Sequence, residues 1–186
     1  FFRTVEGANK HVAAGAKQVL ISAPGKGDIK TIVYGVNEQS IDASDSIISN
    51  ASCSTNCLAH IAYAIEQSVG IEYGLVNTVH AYTNTQRLLD TAHKDKRRGR
   101  AAATSLIPTS TGSAKAIGKV IPSLDGKLDA VAVRVPTINV SLLDLCFVPT
   151  QNIEVDELNS LFEKYKMGRE SVFDLSFDPL VSIDYN

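Results

Sequence analysis

Between Lys17 and Asn50 three short apolar runs, "KQVLISAP", "TIVYGVN" and "SIISN", are separated by turn-forming residues and preceded by a helix-like stretch. Runs this short and this rich in β-branched residues are buried strands, and helix–strand alternation argues for an α/β sheet with parallel strands. The spacing predicts a helix over Val5–Ala14 with Gly15 as its stop, a strand over Lys17–Ser22 halted by Pro24, a turn at "GKGD" and a strand over Thr31–Asn37.

Beyond Asn50 the texture changes. Leu58, Ile61, Ala62 and Ile65 recur at helical spacing, so Ser54–Ser68 reads as one helix ending near Gly70. "IEYGLVNTVHAYT" is a strand running into a loop from about His80, and residues 84–103 form a long polar loop. A short helix follows in "TGSAKAIGKVIP". "LDAVAVRVP" and "NVSLLDLCFV" read as adjacent strands. Val155–Lys166 is a helix with Leu158, Leu161, Phe162 and Tyr165 inward, and "PLVSIDYN" is a last strand. Strands beside helices make this part α+β, with a boundary near Asn50. The formal net charge of −2 points to neither nucleic acid nor membrane, and no apolar run approaches the about 18 residues of a span. Three cysteines without metal-type spacing fit a reducing, cytoplasmic setting. The chain opens without Met and nearly in a helix, so it is expected to be an internal piece of a longer protein.

Chemistry concentrates at "SNASCSTNC". Cys53 falls at a helix start, where unpaired N–H groups and the helix dipole favour the thiolate, the reactive form of the side chain. A free cysteine is also often an inert core residue, and local sequence leaves both readings open. Cys57, one turn further in, and Cys146, between Leu145 and Phe147, read as packing residues. A nucleophilic cysteine needs a base. His60 lies two turns along the same helix, roughly ten ångströms away by helix rise, and His11 and His93 read as surface residues. His80, at the end of an apolar strand, remains as the partner; a hydrogen-bonded structural histidine is the competing reading.

Two features suit anions. "STG", Ser110–Gly112, opens a helix with a hydroxyl at Thr111 and open backbone at Gly112, which either binds phosphate or simply caps the helix. Arg134 interrupts the apolar "AVAVRVPT" and needs an anion to offset its burial. The loop "RLLDTAHKDKRRGR" carries six Lys/Arg against two Asp, serving solvent, a subunit contact, a substrate phosphate or nucleic acid. It holds no aromatic for base stacking, and no specific nucleic-acid role is expected.

Taken in order, "SNASCSTNCLA", "TVHAYTNTQRLLD", "HKDKRRGRAAATSLIPTSTGSAKAIGKVIP", "GKLDAVAVRVPTINVSLLDL" and "PLVSIDYN" closely resemble the phosphorylating glyceraldehyde-3-phosphate dehydrogenases, with "GAKQVLISAP" and "GVN" extending the match over nearly the whole chain. The resemblance implies that residues 1–50 are the end of a Rossmann-type dinucleotide-binding domain. Residues 51–186 would be most of an α+β catalytic domain with a mixed or antiparallel sheet. It further implies Cys53 as the nucleophile that carries a thioester and His80 as its base. Thr83 and Arg134 would take the phosphate of the sugar substrate, and Ser52, Ser54, Thr111, Gly112 and Arg98 inorganic phosphate. Ser22 would lie near the ring of NAD or NADP, in a cytoplasmic homotetramer of glycolysis or gluconeogenesis whose basic loop reaches a neighbour's cofactor. Three departures stand out. Ser54 replaces a usual Thr and keeps the hydroxyl. Thr91-Ala92 replaces Leu-Pro and leaves room for the 2′-phosphate of NADP. No G-x-G-x-x-G or acidic ribose-binding residue occurs, and the family's closing helix is not seen. The piece alone is therefore expected to be inactive. Erythrose-4-phosphate dehydrogenase shares the Cys, His and "RVPTINV" features, although "STGSAKAIGK" favours the triose enzyme. A binding role for the basic loop and a Cys/His hydrolase are the readings from other classes.

Overall fold

A computed structural model describes residues 2–186. Helix α1 (Val5–Ala13) is capped by Thr4, whose Oγ1 accepts from Gly7 N–H, and buries Ala8 against β1 (Val19–Ile21). With β2 (Lys30–Thr31) and β3 (Ile47–Ser49) it forms a three-stranded parallel sheet in the order β1-β3-β2. The expected strand over Thr31–Asn37 is only its first residue. Asn37 accepts from Val33 N–H and donates to the Thr31 carbonyl, and Gly35 takes φ +83°, so local bonds fold 34–37 into a turn.

Helix α2 (Cys53–Ser68) leads into β4 (Ile71–Ala81), the centre of a four-stranded sheet ordered β5-β6-β4-β7. β6 (Leu128–Val135) runs parallel to β4, and β7 (Ser141–Pro149) antiparallel to it. "LDAVAVRVP" and "NVSLLDLCFV" are therefore not neighbours: β4 lies between them. A fourth strand, β5 (Ile107–Ser110), pairs with β6 at the edge, where Pro108 costs little because an edge strand has free hydrogen-bonding positions. Helices α2, α3 (Ser113–Val120) and α4 (Val155–Lys166) contribute to one core, in which Leu58, Ile65, Ile71, Ile117 and Leu124 are almost fully buried. Leu158 and Phe162 of α4 pack against it.

Two further expectations fail. Cys146 is exposed: Leu143, Leu145 and Phe147 point to the core, so the period of two turns Cys146 to the opposite face. "PLVSIDYN" is not a strand. Val181 N–H is met by Asp184 Oδ2, and Ser182–Tyr185 winds into a 3₁₀ turn.

Candidate active site

The site begins where β3 hands over to α2. Ser49 Oγ donates to the Ala23 carbonyl and accepts from Gly25 and Ala51 N–H, tying the carboxyl ends of the parallel strands to the turn. Ala51 adopts φ 59°, a left-handed conformation that a residue with a Cβ rarely takes. Ser52 then caps α2, its Oγ accepting from Thr55 N–H at 3.1 Å, and Cys53 becomes the first helical residue, with its side chain exposed. Its sulfur looks across to the far end of β4: Cys53 Sγ lies 3.4 Å from His80 Nε2, and Ser54 Oγ 3.9 Å from the same sulfur.

The other face of the imidazole is crowded. His80 Nδ1 is 2.7 Å from the Ala81 carbonyl and 2.6 Å from Arg134 Nη1, and the same Nη1 donates to the Ala81 carbonyl at 3.0 Å. The parallel register makes this possible by setting His80 opposite Arg134, while β7 sets Ser141 opposite His80. Burial chiefly holds His80 below its ordinary value; the Ala81 carbonyl opposes this, and the charge of Arg134 adds to it. Arg134 is half-buried, and among the described residues no carboxylate pairs with it. Burial, then the charge of Arg98, lowers its proton affinity, and Cys53 works in the opposite direction. A guanidinium stays protonated throughout.

Two cavities meet at this pair and share Cys53, Ser54, Thr78 and His80 as walls. The larger, about 420 Å³, is closed by Tyr82, Thr83 and the β6–β7 loop at Asn139 and Val140. The smaller, about 240 Å³, is closed by Ser52, Thr111, Gly112 and Arg134. Thr83 and Arg134, grouped in the sequence reading, therefore line different cavities. Thr111 Oγ1 accepts from Ser113 N–H at 3.2 Å, turning the chain into α3, and a Cβ on Gly112 would meet nothing within 4 Å, so the start of α3 is open. Arg98 lines neither cavity. Its Nε and Nη2 donate to Thr109 Oγ1, and its Nε lies 3.5 Å from Asp95 Oδ2. Ser22 is exposed at the end of β1 and lines neither cavity.

Comparison with known proteins supplies the lineage. Residues 52–186 match the family described as glyceraldehyde 3-phosphate dehydrogenase, C-terminal domain. The chain belongs to this family. It is 50% identical to the glyceraldehyde-3-phosphate dehydrogenase of Zymomonas mobilis, covering 99% of this chain and 56% of that protein. It is 50% identical to the Pseudomonas aeruginosa protein of that name (100% and 55%), and 49% identical to a chloroplastic glyceraldehyde-3-phosphate dehydrogenase of Arabidopsis thaliana (97% and 46%). The chain thus spans about half the length of the curated relatives it matches. Among the described residues there is no group of three or more side chains able to hold a metal, and no helix is long and apolar enough to cross a membrane.

Within this dehydrogenase-family framework the structure adds residues that the motifs do not mark. Thr78 lines both cavities, is 1% exposed, and its Oγ1 has no hydrogen-bond partner among the described residues. Its signal was available: it stands two residues before His80, on the same strand face. Ala81 acts through its backbone and has no side-chain signature. Val140 adopts φ 67°, and its carbonyl accepts from Ala81 N–H at 3.2 Å. Two non-glycine residues with positive φ thus flank the Cys–His pair, consistent with strain concentrated at a working site. Cys57, read from the sequence as a packing residue, is instead exposed where it borders the larger cavity; desolvation still pushes its thiol up, unlike that of a reactive cysteine.

Proposed function

We propose that this chain supplies the acyl-transfer half of a phosphorylating glyceraldehyde-3-phosphate dehydrogenase, oxidising glyceraldehyde 3-phosphate to 1,3-bisphosphoglycerate through a thioester on Cys53. The observation that carries the reading is the 3.4 Å approach of Cys53 Sγ to His80 Nε2 at a helix start, between two cavities. In this reading the sulfur, as thiolate, bonds to the aldehyde carbon. His80 Nε2 hydrogen-bonds the oxygen of the thiohemiacetal and takes its proton as the carbon is oxidised. An oxygen of inorganic phosphate then attacks the thioester carbon, the C–S bond breaks, and Cys53 departs as thiolate.

Phosphoryl binding falls to the hydroxyls and the guanidinium. The Arg134 cation, the open start of α3 at Gly112, Thr111 and the Ser52 and Ser54 hydroxyls suit a phosphoryl group in the smaller cavity. Thr83 serves the larger cavity. Arg98 adds charge behind Arg134 without contacting ligand. Residues 1–50 are assigned to a dinucleotide-binding unit and residues 51–186 to a catalytic one. The carboxyl ends of β1 and β3 meet beside Cys53, where Asn50 N–H donates to the Ile21 carbonyl at 2.9 Å. Parallel sheets take ligands beyond such ends, so Ser22 and Asn50 fit a nicotinamide ring there. NAD or NADP, when bound, supplies the hydride acceptor. Assembly as a homotetramer in the cytoplasm completes the proposal.

Mass spectrometry of the full-length enzyme in which this chain supplies the acyl-transfer half tests it. With glyceraldehyde 3-phosphate and NAD or NADP but no inorganic phosphate, an acyl adduct should appear on Cys53 and discharge when phosphate is added. An adduct that forms without the dinucleotide would indicate a hydrolase. No adduct at all would end the dehydrogenase reading, and faster acylation by erythrose 4-phosphate would change the substrate.

A further inference from the structure

The contacts around His80 Nδ1 cannot all be favourable at once. If Nδ1 carries a proton, that N–H is well made to the Ala81 carbonyl at 2.7 Å, but it then faces the cationic N–H of Arg134 at 2.6 Å. If Nδ1 is bare, it faces the Ala81 carbonyl oxygen as a second acceptor at 2.7 Å, but both then accept from the cationic Nη1 of Arg134, which offsets their repulsion. Two donors head-on, one of them charged, is the costlier arrangement in a half-buried site. The arrangement in the structure therefore favours the form with the proton on Nε2, directed at Cys53 Sγ. In that form His80 can donate to the sulfur but cannot accept a proton from a substrate hydroxyl at Nε2.

Arg134 has nowhere better to point among the described residues: no carboxylate pairs with it. The smaller cavity it lines also holds the start of α3 and the Ser52 and Thr111 hydroxyls. We propose that a phosphoryl group entering this cavity draws Arg134 off His80 Nδ1, and so converts His80 from a hydrogen-bond donor toward Cys53 into a free base at Nε2. A guanidinium gains two charge-assisted bonds from a phosphoryl group and gives up a shared N–H to a ring nitrogen and a carbonyl. The proton leaves Nε2 and appears on Nδ1 through solvent, where the Ala81 carbonyl accepts it unopposed; Arg134 keeps all its protons. The base thus becomes available when an anion occupies the site. The charge bearing on the ring is Arg134 from β6, with Arg98 behind it; from α2 the Cys53 sulfur faces Nε2, and β7 sets Ser141 opposite His80. The lowered proton affinity of His80, partly due to Arg134, agrees with the geometry.

This coupling rests on the dehydrogenase reading for its purpose, but its test does not require turnover. The protein is prepared with isotope-labelled histidine, and the His80 ring nitrogens, assigned by their loss in His80→Asn, are followed against pH with and without inorganic phosphate. Without phosphate the neutral ring should carry its proton on Nε2. Phosphate should move it to Nδ1 and shift the titration midpoint upward. Arg134→Ala should show the phosphate-like pattern from the start and respond to phosphate no further. A wild-type His80 indifferent to phosphate, whether phosphate binds elsewhere or not at all, overturns the proposal, as does an Arg134→Ala variant whose His80 matches the phosphate-free wild type. Thioester formation with an indifferent His80 sinks the coupling alone; a responsive His80 without any thioester sinks the dehydrogenase reading alone.

Discussion

Replacing His80 by Asn isolates what the imidazole does for Cys53. The two side chains meet at 3.4 Å, Nε2 to Sγ, with Ser54 Oγ the next polar atom at 3.9 Å. A hydrogen bond to a charged group contributes about 1.5–3 kcal/mol. Cys53 is exposed, so solvent screens the interaction and the lower end, about 1.5 kcal/mol, is appropriate. About 1.4 kcal/mol corresponds to one factor of ten. Alkylation of Cys53 by iodoacetamide near neutral pH should therefore slow roughly tenfold in His80→Asn. The chain carries its own controls. Cys146 is exposed on the outer face of β7, and Cys57 is exposed at the cavity with its thiol pushed up by desolvation. Quenched time points read peptide by peptide in a mass spectrometer give all three rates from one sample. Cys53 should lead both in the wild type and fall toward Cys146 in the variant. Equal Cys53 and Cys146 rates in the wild type would refute a thiolate held by its surroundings, and an unchanged Cys53 rate in His80→Asn would remove the imidazole from that role.

Arg134→Ala should weaken binding of the sugar phosphate or of inorganic phosphate by about 1.5–3 kcal/mol, roughly 10- to 100-fold; calorimetric titration checks it, and unaltered affinity removes Arg134 from the phosphoryl site. Thr78→Val deletes a buried hydroxyl that has no partner among the described residues and should raise the unfolding free energy by about 1 kcal/mol in urea melts; a loss of stability would mean the hydroxyl is bonded after all. Burial, then Arg169, lowers the proton affinity of His60, whose Nδ1 lies 2.9 Å from Tyr165 Oη. The phenol, pushed up to about 12, stays protonated. The unfolded chain then binds protons more readily than the fold as pH drops below 6.5, so stability present above that pH should decline beneath it. His60→Asn should flatten that slope in urea melts at stepped pH, and an identical slope would count against it.

How far residues announce their structure depends on whether the deciding contacts are local. Helix α4 could be bounded from sequence because its apolar period and its acidic start and basic end lie within the segment. The start of α2 was legible to one residue, since Ser52 is an ordinary capping hydroxyl. His80 could be reached by elimination among four histidines. Strand order was not legible. Nothing in "LDAVAVRVP" or "NVSLLDLCFV" records that β4 inserts between them, because pairing is decided by partners more than fifty residues away in sequence for β6, and by a chain reversal no turn motif marks. The separation of Thr83 from Arg134 follows from that order rather than from the residues around them, whereas the outward turn of Cys146 is local alternation with Leu145 and Phe147.

Mixed strand direction is what brings the chemistry to one edge. Because β6 runs parallel to β4, Arg134, near the end of one strand, lies beside His80, near the end of the other. Because β7 runs antiparallel, its first residue, Ser141, returns to the same row, and the loop before it closes the larger cavity through Asn139 and Val140. The arrangement has no slack, since strand side chains alternate between faces. One residue inserted in β6 ahead of Arg134 would shift the register and either bring Val133 opposite His80 or turn Arg134 to the far side of the sheet, and it would do so without touching Cys53 or His80. Such an insertion should abolish the response of His80 to phosphate while leaving the Cys53–His80 approach intact. Only a site in which the cation and the base are coupled through strand register, rather than each recruited separately to the sulfur, would behave in that way.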